Sequence, residues 1–405
     1  MKRVRQTAVV TLALLVGACG GGGGDEVDVA MESSKAGGKS LVAQGRHIFR
    51  YDTFGDEAKW TDALRMHEVI PAVVDPTTAL AVGLKVDVEA LPEAVRQGIA
   101  SGAIDLKSPQ TTLALLELDA VVGLKGRVDE ENGVKKLKRV GITCALCHST
   151  VDDSFAPGIG KRLDGWPNRD LDPGAIIALS PALTEAQRQV FRSWGPGKYD
   201  PRFNVDGKNK PVVIPPAYGL SGIHRITFTG DGEDVAYWNR YVAVTQMGGL
   251  GSFSDPRLPL SITNGDVDRV SDKLPALQAY QLSLAAPPPP RGSFDVPAAA
   301  RGKALFAGKA QCIACHTGPL FTDANALLHP PSDSMAEPES PSYASRSATG
   351  MYRTSPLKGV WQHAPYFHDG SAATLEAVAD TYNRRRGLGL TAQEITDLAQ
   401  YLKSL

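Results

Sequence analysis

Cys144-Ala-Leu-Cys147-His148 and Cys312-Ile-Ala-Cys315-His316 are two copies of one five-residue pattern, C-x-x-C-H. Two thiols at this spacing add across the vinyl groups of a porphyrin, and the following histidine is then held under the iron as proximal ligand. A bare C-x-x-C fits zinc, a redox dithiol or haem. Zinc would need further ligands nearby. A dithiol of thioredoxin type would need a strand–helix–strand setting that the flanking sequence lacks. The histidine and the repetition select haem. The sequence predicts two c-type haems, bonded through Cys144 and Cys147 and through Cys312 and Cys315, with His148 and His316 as proximal iron ligands.

Those motifs use four of the five cysteines. The fifth, Cys19, follows Lys2, Arg3 and Arg5, an apolar run from Ala8 to Val16, and then Gly17-Ala18. The run is too short to span a bilayer and has the basic flank of a secretory signal. Its apolar-small-small-Cys ending resembles the bacterial lipobox, whose cysteine is lipidated and becomes the mature N-terminus. Residues 1–18 read as signal peptide and 19–40 as a lipid-anchored flexible tether, rich in glycine from Gly20 to Gly24. The rival is cleavage after Ala18 that leaves Cys19 as a free thiol. Gly20 stands where an aspartate would signal inner-membrane retention, so the expected location is the outer membrane, facing the periplasm. Haem is attached covalently in that compartment. A formal net charge of −1 gives no global attraction to nucleic acid or to an anionic membrane. The basic runs Arg384 to Arg386 and Lys135, Lys136, Lys138, Arg139 read as solvated surface.

Punctuation along the chain is mostly helical. Ser108-Pro109 is an N-cap followed by proline at the first helical position. Thr184-Glu-Ala-Gln187 and Thr391-Ala-Gln-Glu394 are capping boxes. A helix from about Asp56 to Val69 would place Trp60, Ala63, Leu64 and His67 on one face. Residues 198–265, rich in Pro, Gly, Asn and Asp, read as long loops with a few short strands. Ala285-Ala-Pro-Pro-Pro-Pro290-Arg-Gly-Ser293 is a stiff spacer. The expected architecture is mainly α with long loops, in two cytochrome c-like haem domains: 41–285 and 294–405, joined by the linker 286–293.

Residues 298–405 resemble a small class-I-like cytochrome c domain, with a helix at Arg301–Phe306 before Cys312, Gly302 permitting close helix contact, and a capped last helix. Tyr352-Arg-Thr-Ser-Pro356-Leu-Lys-Gly359, Trp361-Gln-His363-Ala-Pro365-Tyr-Phe-His368-Asp-Gly370 and Thr374-Leu375-Glu376 closely resemble the C-terminal part of the bacterial di-haem cytochrome c peroxidases and the related methylamine-utilisation di-haem enzymes. In the peroxidases a methionine is the sixth ligand of the C-terminal haem. In the methylamine-utilisation relatives a tyrosine takes that place. Two methionines lie in the loop, Met335 and Met351, and Met351 is the expected distal ligand of the second haem, with Tyr352 beside it. His363 and His368 are expected to bond a propionate or the backbone.

The segment Gly45–Trp60 resembles the start of large periplasmic di-haem cytochromes loosely related to the peroxidases and the rubber oxygenases, and Asp152–Arg162 is similar to the same group. For the first haem, His67 and Met247 are the candidate distal ligands, with His67 preferred. Glycines follow Met247 and would let the backbone approach the porphyrin edge. Trp166 and Trp238 are candidate relays between the haems. No distal acid–base group is singled out among Glu68, Glu117 and Gln246, so catalytic residues stay unassigned. The leading expectation is electron transfer to a redox partner protein, a small cytochrome or cupredoxin-like donor or acceptor. A peroxidase reducing hydrogen peroxide at the first haem comes next, and an oxygenase acting on a hydrophobic substrate third.

Overall fold

The computed structural model describes residues 40–336 and 341–405, and Leu41–Leu405 form one compact unit. The signal, Cys19 and the tether lie outside the described residues. No helix among the described residues is long and apolar enough to cross a membrane.

In the C-terminal part, helices Val296–Ala307, Leu375–Arg386 and Ala392–Lys403 enclose Phe306, Val360, Leu375, Leu398 and Leu402. Each start is capped by a side chain: Asp295 accepts from Ala298 N, Thr374 from Ala377 N, and Thr391 and Glu394 form the expected capping box. The first and last of these helices cross at Gly302. A Cβ built there would lie 2.0 Å from the carbonyl oxygen of Asp397, so only glycine admits the contact. Arg301 then grips Asp397 with two bonds of 2.7 Å.

The N-terminal part departs from a mainly helical reading. Strands Leu124–Glu131 and Val134–Ile142 form a long antiparallel hairpin turned by Asn132-Gly133, both at positive φ as a type I′ turn requires. Helix Pro109–Glu117, capped by Ser108, packs on this hairpin. The second strand leads through Thr143 directly into Cys144, so the hairpin aims the first C-x-x-C-H segment. Thr143 N bonds Gly123 O at 2.9 Å, and Gly123 sits against Leu146 so closely that a Cβ would be 2.1 Å from the Leu146 Cα.

The expected continuous helix 56–69 is broken. Ala58–Ala63 is a π-turn, Arg65 adopts φ +55°, and an α-helix restarts at Met66–Val73. Residues 198–265 hold more structure than expected, with helix Val235–Tyr241 passing into a second π-turn at Val242–Met247 and a hairpin Gly251–Asp255/Leu260–Asn264.

The proline-rich stretch joins parts that are bonded to each other at many points. Tyr218 Oη donates to Gly359 O (2.8 Å), Val213 N to His368 O (2.8 Å), and Trp361 Nε1 to Pro287 O (3.1 Å). Arg346, almost wholly buried, pairs with Asp200 and Asp206.

Gly302→Ala should force the crossing helices apart. Overpacking of this kind costs about 1–3 kcal/mol, read as a lower denaturation midpoint at unchanged haem content.

Candidate haem-binding sites

His316 leads the second motif out of the 3₁₀ turn Cys312–Ala314. Its Nδ1 lies 3.1 Å from the Phe321 carbonyl oxygen. A carbonyl can only accept, so this contact puts the ring proton on Nδ1 and leaves Nε2 as a lone-pair donor, the form in which imidazole binds a metal. Burial lowers the pKa of His316, which also favours the neutral ring. A cavity of about 600 Å³ opens here, lined by Cys312, Cys315 and His316 and walled by Phe306, Leu398 and Leu402.

Two arginines in that cavity test whether haem fits it. Arg353 is buried, donates Nη1 to Arg225 O, and has no partner for Nε; burial depresses its pKa to about 10. Arg169 has no partner for Nε or Nη1, and burial again lowers its pKa to about 10. Unpaired buried guanidinium groups are strongly unfavourable unless an anion meets them. A haem bonded to Cys312 and Cys315 brings two propionates into this cavity, and carboxylate is the natural partner of the guanidinium fork. The residues present fit haem. Cys315, Asp323 and His329 also place ligand atoms within 4.8 Å of one another, but His329 and Asp323 already pair at 3.0 Å, and cations in the same cavity oppose a bare metal ion.

The first motif repeats the histidine geometry. His148 Nδ1 lies 3.1 Å from Pro215 O, and burial pushes the ring pKa down to about 4. Burial raises the Cys144 and Cys147 thiols to about 12. Thiols so shifted are poor thiolates, unlike a zinc or redox pair. Tyr199 lies near Cys147; its hydroxyl donates to Gln246 Oε1 at 3.2 Å, where Asn204 Nδ2 also donates. Between the motifs, Trp166 and Trp361 meet edge to face at 5.8 Å. Trp166 follows Gly165, whose N–H bonds His148 O, and Trp361 stands two residues before His363 on the second cavity.

A family description, "RoxA-like, cytochrome c-like", matches residues 350–387, the stretch that carries Arg353, His363 and His368. Cytochrome-c peroxidase IdrP1 of Denitromonas iodatirespirans is 29% identical over 197 residues, covering 36% of this chain and 52% of that protein. Methylamine utilization protein MauG of Methylorubrum extorquens is 33% identical over 121 residues, 26% of this chain and 34% of its own. These likenesses support a relationship to the di-haem cytochrome c peroxidase and MauG superfamily. The chain spans about half, or less, of the length of these curated relatives. A solved MauG-like protein associated with microbial copper homeostasis superposes with a TM-score of 0.33 at 23% identity, over 50% of this chain and 75% of its own.

The likeness to these relatives implies c-type haem and leaves the distal ligands to be read from the chain itself. Met351 does not line the second cavity. Met335 does, 7% exposed, together with Tyr352 and Tyr382. The reason is local: Met351 N and O both bond Thr349 Oγ1, a turn that carries Tyr352 inward instead. Tyr382, absent from the sequence reading, is buried near Cys312 and Cys315, with its pKa raised to about 12 by burial. Its signal was its place in the helix after Thr374, downstream of the loop in which a ligand was sought. His368 rests 5.1 Å from the Tyr352 ring, and His363 lines the cavity with Nδ1 unpartnered and its pKa pushed to about 3.

His67, the preferred candidate, keeps a buried Nδ1 with no partner among the described residues, but it no longer sits on one continuous helix with Trp60. The left-handed turn at Arg65 rotates it off the face that carries Trp60, leaving a side chain 29% exposed beside Glu68. Met247 is 4% exposed, in the core cluster that holds Ala145 and packs against Cys144. The glycines after it serve another purpose: Cβ atoms there would strike Lys59 and Phe54, so they admit the first π-turn. Of the three acid–base candidates, Glu68 pairs with Arg65 and Glu117 with Lys135 at the surface, while Gln246 is buried. Trp238 stacks on Tyr241 at 4.6 Å and packs with Ile226 and Val235.

Met351→Leu is expected to leave the optical spectrum of the holoprotein unchanged. Met335→Leu, Tyr352→Phe and Tyr382→Phe, compared side by side, should identify the sixth ligand of the second iron: one of them shifts the Soret band and the reduction potential, and the others do not.

Proposed function

We propose that this chain is a periplasmic cytochrome c, anchored to the outer membrane through Cys19, that carries two covalent haems and passes electrons between them and to a small redox protein. The observation that carries this reading is the paired histidine geometry. His148 and His316 each hold Nδ1 on a backbone carbonyl at 3.1 Å, leaving two imidazoles ready to serve as iron ligands. Bound haem supplies reversible one-electron chemistry. The chain's own part is to fix each ring, to neutralise the propionates with Arg169 and Arg353, and to keep water from the second cavity with Phe306, Leu398 and Leu402. The Trp166–Trp361 contact supplies a short aromatic bridge between the two sites.

A peroxidase is the second reading, favoured by buried Gln246 with its partners Tyr199 and Asn204 near Cys147, and by the relatives named cytochrome-c peroxidase. A hydrogen-bonding group near the first site is what positioning of a peroxide would require.

Haem quantitation and mass spectrometry should give two haems per chain, with Cys144→Ser plus Cys147→Ser and Cys312→Ser plus Cys315→Ser each removing one. Spectra of the oxidised and half-reduced protein then separate the readings. Two low-spin irons in both states without peroxide consumption mark a carrier. A high-spin signal on half-reduction with peroxide turnover marks the peroxidase, and Gln246→Ala should then slow turnover by about 10²-fold or more. In cells, Cys19→Ser should move the protein from the membrane to the soluble periplasmic fraction.

A further inference from the structure

A second cavity, of about 330 Å³, lies in the N-terminal core, and no role described so far uses it. Its walls are Trp60, Met66, Ile70, Leu116, Val86 and Ala178, with further aliphatic groups between them. Its polar neighbours are already engaged. Thr112 Oγ1 donates to Val74 O at 2.7 Å, Trp60 Nε1 to Met247 O at 3.2 Å, and Lys85 Nζ holds Asp170 at 2.5 Å. Arg192 Nη1 pairs with Glu185 at 2.9 Å. A water molecule needs two or more free polar partners to settle in such a space, and beyond these the lining adds only the exposed Thr78.

The cavity is not the porphyrin site of the first motif. Cys144, Cys147 and His148 do not line it; from that segment only Leu146 does. It meets the attachment loop through Leu146, and Cys147 packs against the same core cluster without lining the cavity. Among its lining residues, Leu179 is 41% exposed and the Arg192 side chain 53% exposed, so the cavity reaches toward the surface there.

We propose that this cavity binds a small, uncharged hydrocarbon. An engineered cavity of about 150 Å³ lined by Leu, Ile and Phe stays dry and holds benzene or xenon. About twice that room accommodates roughly ten to twelve carbon atoms. Charged or strongly polar ligands are disfavoured, because the mostly aliphatic walls offer little to replace their hydration. Ligand pockets are commonly apolar, but most include several convergent polar groups that fix orientation. Their absence here implies selection by bulk and apolarity alone. The ligand would press on Leu146, so occupancy is felt at the loop that carries the first haem. The inference stands on this cavity alone and does not depend on whether the protein is a carrier or a peroxidase.

The test uses the holoprotein. Titration with p-cymene should show one saturable site, and 4-isopropylbenzoate, of nearly the same shape but charged, should bind at least tenfold more weakly. Crystals pressurised with xenon should show density among Leu116, Val86 and Ala178. Ala79→Leu and Ala178→Val, which fill the space from two walls, should each weaken p-cymene binding tenfold or more while leaving the thermal midpoint unchanged or raised. A xenon-free cavity, unsaturable p-cymene binding, or equal affinity for the carboxylate would overturn the proposal. So would filling variants that lower the thermal midpoint while p-cymene affinity persists.

Discussion

Each C-x-x-C-H histidine is oriented by one hydrogen bond from Nδ1 to a backbone carbonyl, and much of the architecture exists to hold those two carbonyls still. For His316 the acceptor, Phe321 O, is only five residues away. For His148 it is Pro215 O, contributed by a segment distant in sequence. That segment is held from both halves of the chain, on its own side by Ile214 N to Gly197 O and Ala217 N to Gly165 O. Val213 N bonds His368 O, Tyr218 Oη bonds Gly359 O, and Arg346 anchors Asp200 and Asp206 just upstream. The ring of the first site is thus aimed by a carbonyl whose position depends on the C-terminal part. Such dependence explains why Leu41–Leu405 form one compact unit despite a proline spacer in the middle.

Buried charge divides into two kinds that point to different purposes. Arg202 with Asp231, and Arg346 with Asp200 and Asp206, are paired and buried, so truncating one partner would strand the other at a penalty of roughly 3–5 kcal/mol. Among the described residues, Arg169 and Arg353 have no carboxylate opposite them. Desolvation is the first cause of the lowered pKa of each, which marks positions poised for an anion that the polypeptide does not supply. A purely structural arginine would have been given an aspartate, as Arg346 was given two.

How far the site was legible in the sequence depends on the range of the interaction involved. The attachment motifs and the caps at Ser108, Thr184 and Thr391 are local devices, and the structure keeps each cap as the sequence implies. The crossing at Gly302 was legible because a glycine inside a helix has few other uses. The hairpin turn Asn132-Gly133 was as strong a local signal, yet the lysines around it drew the reading toward surface charge. The helix that was to carry His67 was less legible, for a different reason. Helical spacing from Trp60 to His67 presumes an unbroken helix, and the positive φ of Arg65 cancels that assumption. Arginine carries no sequence mark for such a conformation. Met351 and Met335 differ only in which way a loop turns, which is settled by tertiary bonds such as Thr349 Oγ1 to Thr229 O. Orphaned guanidinium groups cannot be read from sequence at all, because being unpaired is a property of the assembled cavity.

The two π-turns show how a polar group can be kept near the first site without joining the core. Each π-turn inserts an extra residue, which releases backbone carbonyls from the regular ladder. In Val242–Met247 those of Gln246 and Met247 are taken by partners from the facing turn Ala58–Ala63: Lys59 Nζ reaches Gln246 O at 2.6 Å, and Trp60 Nε1 reaches Met247 O at 3.2 Å. Burial lowers the Lys59 pKa to about 8, so the ammonium is held with little reserve near neutral pH. With its backbone fixed from one side, Gln246 is free to send its amide to Tyr199 and Asn204 on the other. Met247 is fixed by the same clamp in the cluster that packs against Cys144. The two residues that bear most on carrier against peroxidase are therefore consecutive and rigidly coupled. If Met247 reaches the iron, Gln246 has no open face to serve. If it does not, the Gln246 amide, bonded to the Tyr199 that neighbours Cys147, is the polar group nearest at hand.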